Sequence, residues 1–359
     1  MSFDVSGLYA VVMAGGRGER FWPAGRKDRP KQLLPLLGER TMLEETVQRL
    51  FPLIAPERLL VVTNAAYVER IRKILPIPAE NVVGEPEGRD TAPCVALATA
   101  LIRRRDPGAT MVLLPADHVI RPAKLFQETL LASAEAAQSG ALVTLGVTPT
   151  FGATGYGYLH LGESVRKGFR RVLEFKEKPD AATAERFFLD GNYRWNSGIF
   201  IWSVRAIRAA FAAYAPELAQ AEEDFYQAER QGNLSSILAE RFAACPKISI
   251  DYAIMEHASP IVMAESDFEW DDVGNWTAMR SYWPRDAAGN AVSGRFTGLD
   301  CRNCIIRSDG KHLIAGIDLD DMIVVQTGDV TLIAPARSNQ KIKQLLKDVG
   351  QLPDAADLL

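Results

Sequence analysis

The sequence predicts an α/β protein whose sheet is covered by helices on both faces, followed by a small all-β domain. Two observations carry this. From Leu8 to about Val147, strand-length apolar runs alternate with stretches of helical periodicity, and the runs are apolar on both faces, which argues a parallel sheet. Beyond Pro284 the texture changes to short apolar runs separated by Asp-Gly and Gly-Asp turns. At 359 residues the chain is long for one core, so residues 1–284 are expected to form a large domain and residues 285–359 a small one.

Leu8–Met13 is the first strand, and it runs into Ala14-Gly15-Gly16-Arg17-Gly18, where glycines allow a sharp turn with backbone N–H groups open to an anion. Arg17, Arg20, Arg26, Lys27, Arg29 and Lys31 follow against Glu19 and Asp28 alone, a local excess of positive charge in a chain of net charge −4. Such a reversal beside a glycine turn at a strand end suits a polyphosphate. The turn is not a P-loop, because no Gly-Lys-Ser/Thr follows Gly18, and Trp22-Pro23 interrupts where a dinucleotide fold continues its helix.

Thr41-Met-Leu-Glu44 reads as a capping box opening a helix to about Phe51. Arg58–Thr63 is a strand, and Asn64 caps a helix carrying Val68, Ile71 and Leu75 on one face. Glu85–Pro93 is a polar loop before an apolar helix from about Thr91 to Arg104, and Thr110–Pro115 is a strand leading to Asp117-His118. A helix near Pro122–Gln138 and a strand Ala141–Val147 follow. Phe151–Lys178 is glycine-rich with short polar strands, suited to an insertion over the sheet's C-terminal edge. Tyr193–Trp202 returns as a strand, helices fill about Ser203–Arg241, and Ile261–Ala264 is a strand before Trp270-Asp-Asp-Val-Gly-Asn-Trp276. In the C-terminal part, Cys304–Arg307, His312–Ile317, Met322–Gln326 and Val330–Ala334 read as strands, and Asn339–Val349 as an amphipathic helix.

A pI near 5.7 excludes general nucleic-acid binding, which needs a broadly basic face. No apolar run reaches membrane-spanning length, and Asp4 with a short apolar run before the glycines is not a secretory signal. Together with only four cysteines, Cys94, Cys245, Cys301 and Cys304, this reads as cytoplasmic. Cys301-Arg-Asn-Cys304 has metal or redox spacing but lacks a second pair or a nearby histidine, so buried or incidental thiols are expected.

The glycine turn with Arg20, Phe21-Trp22-Pro23 and Pro30-Lys31-Gln32 resembles the signature of the sugar-nucleotide pyrophosphorylases (nucleotidyltransferases), in particular the mannose-1-phosphate guanylyltransferase branch. Further motifs of that family follow in order: Glu85–Pro93, Leu114-Pro-Ala-Asp117, Gly157, Glu177-Lys178-Pro179, Trp195-Asn196-Ser197-Gly198 and Trp270–Gly274. The resemblance implies a Rossmann-like core with a glycosyltransferase-A-like mixed sheet and a C-terminal domain like a short left-handed β-helix. It implies transfer of GMP from GTP to α-D-mannose 1-phosphate, with Mg²⁺ on Asp117 and Asp272. Ala14, Gly15, Gly16, Gly18, Arg20, Lys31 and Glu85 would bind the nucleotide, and Gly157, Glu177, Lys178 and Asn196 the sugar phosphate. Arg20, Lys31 and Lys178 would act in catalysis, and a homodimer through the C-terminal domain is the expected assembly. Asp271 replaces the family's usual Ser or Met, which leaves open which of Asp271 and Asp272 ligates; Asp90 and Gly25 replace a commoner Asn and Ser. The chain stops before the phosphomannose isomerase domain of bifunctional relatives would fit. Another sugar-1-phosphate nucleotidyltransferase, acting on glucose or heptose 1-phosphate, and a non-catalytic regulatory paralogue are the rival readings.

Overall fold

Strand β1 (Leu8–Ala14) is buried along nearly its whole length and lies inside a nine-stranded sheet. The computed structural model describes residues 4–16, 18–353 and 355–359, so Arg17 of the basic loop lies outside the described residues. Two compact units emerge. The first comprises Met1–Gly15, Val47–Ala116 and Ile120–Trp270; the second, Gly16–Thr46, Asp117–Val119 and Asp271–Leu359.

In the first unit β1 pairs in parallel with β2 (Leu59–Asn64) and β4 (Thr110–Pro115), and β2 with β3 (Val82–Glu85). The strands appear where apolar runs predict them. β3 is an addition: it ends on Glu85, within the stretch expected to be loop. Short strands β5 (Val119–Arg121) and β11 (Glu269–Asp271) follow Asp117 and precede Asp272.

The sheet is mixed, as the family resemblance implies, and the parallel sheet argued from alternation alone is corrected here. Strand β9 (Tyr193–Ser203) lies between β4 and β6 (Leu142–Val147) and runs antiparallel to both. β10 (Ile261–Glu265) is parallel to β6 and antiparallel to β8 (Phe169–Lys176). The apolar character of both faces reflects cover by helices and does not encode strand direction. The glycine-rich stretch also differs from expectation. β7 (Tyr158–Arg166) and β8 form a long hairpin in the main sheet in place of short strands, and β7 also runs antiparallel to Tyr193–Trp195 of β9.

Helix α1 (Met42–Leu50) starts at the expected capping box: Thr41 N–H donates to Glu44 Oε2 at 2.8 Å, and Glu44 N–H to Thr41 Oγ1 at 3.2 Å. α2 spans Val68–Ile74. α3 (Thr91–Arg105) is apolar on every side and accordingly buried from Ala92 to Ile102, packed between sheet and α7. α4 (Ala123–Ala137), α5 (Ala181–Asp190), α6 (Val204–Tyr214), α7 (Pro216–Gln231) and α8 (Leu234–Arg241) complete the unit. No helix among the described residues is long and apolar enough to cross a membrane.

In the second unit, β12 (Ala291–Ser293), β14 (Ile305–Ser308) and β16 (Met322–Gln326) stack in parallel, with β17 (Thr331–Pro335) antiparallel beside β16. β13 (Arg295–Leu299) and β15 (Leu313–Ile317) form a second parallel ladder. Successive turns of chain thus place one strand in each ladder, a β-helix-like arrangement; the in-register Val292, Ile306 and Val324 pack with Phe296 and Ile314 of the second ladder, while Ala291, Ile305 and Ile323 face the unit's larger core. β12 and β13 escaped the sequence reading because β12 is only three residues long and β13 is mostly exposed. Phe21, Trp22, Leu34 and Leu36 of the basic loop bury into the same core as Trp276, Met279, Trp283, Ile305 and Ile342. Each tryptophan N–H there finds a carbonyl: Trp22 on Leu358 at 2.8 Å, Trp276 on Trp22 at 3.0 Å and Trp283 on Leu36 at 2.7 Å. Helices α9 (Ile342–Val349) and α10 (Ala355–Leu358) close the chain.

Candidate active site

A cavity of about 350 Å³ in the second unit is lined by Gly18, Arg20, Lys31, Asp117, Asp272 and Gly274, with Glu19, His118 and Lys343 among its other walls. Lys31 is its tie-point. Its ammonium donates to Asp117 Oδ2 at 2.7 Å and to the Asp272 carbonyl at 2.6 Å, so it holds two segments far apart in the chain. Two of its three donors are thereby used and one is left for a phosphate oxygen. Burial alone would raise the Asp117 carboxyl, but the Lys31 and His118 charges and the Lys31 hydrogen bond outweigh it and hold Asp117 below the usual carboxylate range.

Two glycines make the cavity possible. Gly18 sits at φ +63°, and a Cβ there would collide with the Lys31 side chain and backbone. A Cβ on Gly274 would come within 3.1 Å of Asp272 Oδ2 and 3.4 Å of Arg20 Nη1, so both side chains lie over a bare Cα. Arg20 also donates from Nη1 to the Gly274 carbonyl at 3.3 Å.

Asp271 and Asp272 have different surroundings. Asp271 Oδ1 accepts from Val273 N–H at 2.7 Å and its Oδ2 from Tyr282 O–H at 2.9 Å. Val273 is fully buried at φ +47°, a costly conformation for a β-branched residue. The Asp271 carboxylate therefore braces a strained turn, while Asp272 lines the cavity.

The first unit holds Ala14, Gly15 and Glu85. Thr63 Oγ1 donates to the Ala14 carbonyl at 2.9 Å, and a Cβ on Gly15 would stand 3.4 Å from Glu85 Oε2. Glu85 is 5% exposed, and its Oε1 is buried with no hydrogen-bond donor among the described residues. Burial pushes its carboxyl up to about 7, against the opposing pull of the Cys94 thiol hydrogen bond. An orphaned buried carboxylate oxygen is costly unless something outside the chain meets it. Gly16, in the second unit, accepts from Gln32 Nε2 at 3.0 Å through its carbonyl.

Gly157, Glu177, Lys178 and Asn196 also come together in the first unit. A Cβ at Gly157 would collide with Glu177 Oε2, so the backbone touches this carboxylate directly. β8 ends at Lys176, and Lys178 lies at φ +43°, which folds its side chain back so that Nζ donates to Glu177 Oε1 at 2.6 Å. In an extended strand the two side chains would diverge. Asn196 Oδ1 accepts from Thr144 Oγ1 at 3.0 Å and from Gly198 N–H at 3.2 Å, and its Nδ2 donates to Asp251 Oδ1 at 3.0 Å.

Asp251 is the residue sequence reasoning missed. It opens a π-helical turn, Asp251–Met255, and its signal was a single carboxylate inside the apolar run Ile248–Met255. Burial raises its carboxyl, and the Glu177 charge adds to the rise against Lys178 and the Asn196 hydrogen bond. Glu256 Oε1 accepts from Glu177 N–H at 3.0 Å and fixes the same segment. All four cysteines are free and buried, and no group of three or more His, Cys, Asp or Glu able to hold a metal occurs among the described residues.

Residues 9–287 match the family model described as Nucleotidyl transferase, and residues 294–349 that of the MannoseP isomerase/GMP-like beta-helix domain. The chain is 35% identical over 352 residues to the mannose-1-phosphate guanylyltransferase of Klebsiella pneumoniae, covering 96% of this chain and 74% of that protein. It is 35% identical over 350 residues to the xanthan biosynthesis protein XanB of Xanthomonas campestris pv. campestris, covering 96% and 74%. Among solved structures it resembles the crystal structure of mannose-1-phosphate geranyltransferase from Thermus thermophilus, with a TM-score of 0.86 and 35% identity over 96% of this chain and 99% of that one. With a family match across most of its length and relatives aligned nearly end to end with it, the chain belongs to the nucleotidyl transferase family.

Proposed function

We propose that this protein transfers GMP from GTP to α-D-mannose 1-phosphate, giving GDP-mannose and pyrophosphate. The observation that carries the reading is the Lys31 clamp, which gathers Asp117 and the Asp272 segment at one cavity beside Arg20 and Gly18. Similarity over 96% of the chain to proteins named mannose-1-phosphate guanylyltransferase supports the choice of substrates.

An oxygen of the sugar phosphate attacks the α-phosphorus of GTP in line, and pyrophosphate leaves with the electron pair of the broken P–O bond. The nucleophile is already an anion, so no side chain must activate it, and the work is positioning and charge neutralisation. Asp117 and Asp272 offer hard oxygen donors at one cavity, a set that fits Mg²⁺, which keeps waters and phosphate oxygens for its remaining positions. When bound there, Mg²⁺ offsets phosphate charge. Arg20, the third Lys31 donor and the backbone of Gly15, Gly16 and Gly18 hold the triphosphate. Glu85 supplies the acceptor for the donor edge of guanine. Lys178 meets the sugar phosphate, and Glu177, Gly157 and Asn196 shape the hexose site.

A cytoplasmic location belongs to the same reading, supported by four free, buried thiols. So does a homodimer through the C-terminal domain, supported by exposed Leu299, Leu313, Ile317 and Ile333 on β13, β15 and β17.

Pyrophosphate release across a matrix of nucleoside triphosphates and hexose 1-phosphates tests the proposal. GTP with mannose 1-phosphate should exceed every other pair by about tenfold or more in kcat/KM. Preference for UTP or dTTP with glucose 1-phosphate would replace the substrates, and absence of release with every pair would make the protein a binding paralogue.

The two arms of the hexose site separate by mutation. Lys178→Ala should slow transfer to mannose and glucose 1-phosphates alike, by about 10–100-fold, the loss of one charge-assisted contact. Glu177→Gln should instead shift the mannose-to-glucose ratio, because a site built around a hydroxyl loses selectivity when its acceptor weakens. The opposite pattern in kcat/KM reverses the two roles.

A further inference from the structure

We infer that Lys343, on α9, is a polyphosphate-binding residue that holds the pyrophosphate leaving group; this rests on the reading of the cavity as the triphosphate site. Helix α9 packs on the Glu19–Phe21 turn, immediately before the Trp22-Pro23 stop. Its first residue, Ile342, is 2% exposed in the core that holds Phe21, Trp22 and Trp276, and Leu346 and Val349 pack against that core. Lys343 follows this anchor directly and lines the cavity with Arg20, Lys31, Asp117 and Asp272.

The charges of the cavity show what Lys343 is for. Lys31 spends two donors on Asp117 and the Asp272 carbonyl, and Arg20 directs Nη1 to the Gly274 carbonyl. No hydrogen bond or ion pair engages Lys343 among the described residues. Lys343 thus brings one further cation, on an anchored helix, to a cavity where Lys31 keeps one donor and Arg20 most of its donors for phosphate. A triphosphate demands more positive charge than those two supply, and a point charge on a flexible stem suits a phosphate group that must later depart.

Position assigns the phosphate. Lys343 and Glu19 also line an adjoining cavity of about 310 Å³ with Trp22, Arg26, Lys27 and Lys347, so they mark the rim where the two cavities meet. Lys31 and the two carboxylates hold the end where the α-phosphorus reacts. The β- and γ-phosphates then extend toward the Glu19 rim, and Lys343 meets them. The bond that breaks joins the α-phosphorus to the departing pyrophosphate.

The test uses the full chain running in reverse, from GDP-mannose and pyrophosphate to GTP and mannose 1-phosphate. Lys343→Ala should raise KM for pyrophosphate about tenfold or more and leave KM for GDP-mannose within about twofold, the signature of one lost charge-assisted contact to pyrophosphate. Lys343→Arg should recover most of the loss. Lys347→Ala, which alters the adjoining cavity alone, should match wild type. A pyrophosphate KM in Lys343→Ala within twofold of wild type, an equal rise in Lys347→Ala, or a rise in KM for GDP-mannose instead would each overturn the assignment. A wild-type protein that neither forms nor consumes pyrophosphate would overturn the reading of the cavity as well.

Discussion

Asp272→Ala should reduce pyrophosphate release by about a thousandfold or more, while Asp271→Ala should keep it within about tenfold of wild type. The first figure corresponds to several kcal/mol of lost charge stabilisation at the transferring phosphoryl group. The second follows from the hydrogen bonds: the Asp271 carboxylate is spent on Val273 N–H and Tyr282 O–H. Its loss leaves the buried, strained Val273 turn unbraced, and should appear as about 1–3 kcal/mol of stability. Asp117→Ala should match Asp272→Ala in rate and exceed it in destabilisation, because it leaves the Lys31 ammonium, with 7% of its side chain exposed, without its carboxylate. Single-turnover assays at saturating Mg²⁺, with melting curves of the same variants, separate the two effects. If Asp271→Ala loses turnover and Asp272→Ala retains it, the ligand lies one residue earlier.

This division was half visible in the sequence. Trp270-Asp-Asp-Val-Gly announces two adjacent carboxylates at a turn, but nothing in the letters says which one faces a cavity. The answer depends on Tyr282 and on the positive φ of Val273, both set by the core around Trp276 and Trp283. Local signals survived intact: the Thr41–Glu44 box starts α1, and the apolar runs at Leu8, Leu59 and Thr110 are strands. Non-local facts did not. Direction is one of them, since β9 reads as a buried strand whichever way it runs, and only its place between β4 and β6 makes it antiparallel. Membership of the second unit is another, because residues 16–46 join it through Phe21, Trp22, Leu34 and Leu36, whose partners lie some 250 or more positions away.

The sugar cluster shows the same limit. Gly157, Glu177, Lys178 and Asn196 could be named from their motifs, yet the Lys178–Glu177 contact needs φ +43° at Lys178, a conformation seldom adopted by residues other than glycine. Asp251 is not legible in the sequence because Ile250, Ala253 and Ile254 beside it are core residues, and one carboxylate among them carries no periodic signal. Its contact with Asn196 ties the turn to the motif that was recognised.

Glu85→Gln should make the ligand-free protein more stable at pH 8 and a poorer enzyme with GTP. The sign follows from the carboxyl, whose folded value of about 7 lies above the ordinary glutamate value of 4.5. Between those values the unfolded chain releases the proton and the folded chain keeps it, so stability falls as pH rises from about 4.5 to 7 and is level above. Glutamine does not titrate. The variant should gain on wild type across that window, by on the order of 1–3 kcal/mol at pH 8 and little at pH 5, a rise of about 2–6 °C in melting temperature at the higher pH. Activity should move the other way. On the proposed reading the orphaned Oε1 accepts from the adjacent N–H donors of guanine, and an amide can offer only one acceptor oxygen. In wild type, kcat/KM for GTP should rise with pH through about 7 as Glu85 ionises; in the variant that rise should vanish and kcat/KM should drop about 100-fold. The ratio of GTP to ITP, which lacks the exocyclic amine, should collapse toward one. A Glu85→Gln enzyme that keeps its full preference for GTP would remove this carboxylate from base recognition and leave its burial without a functional account.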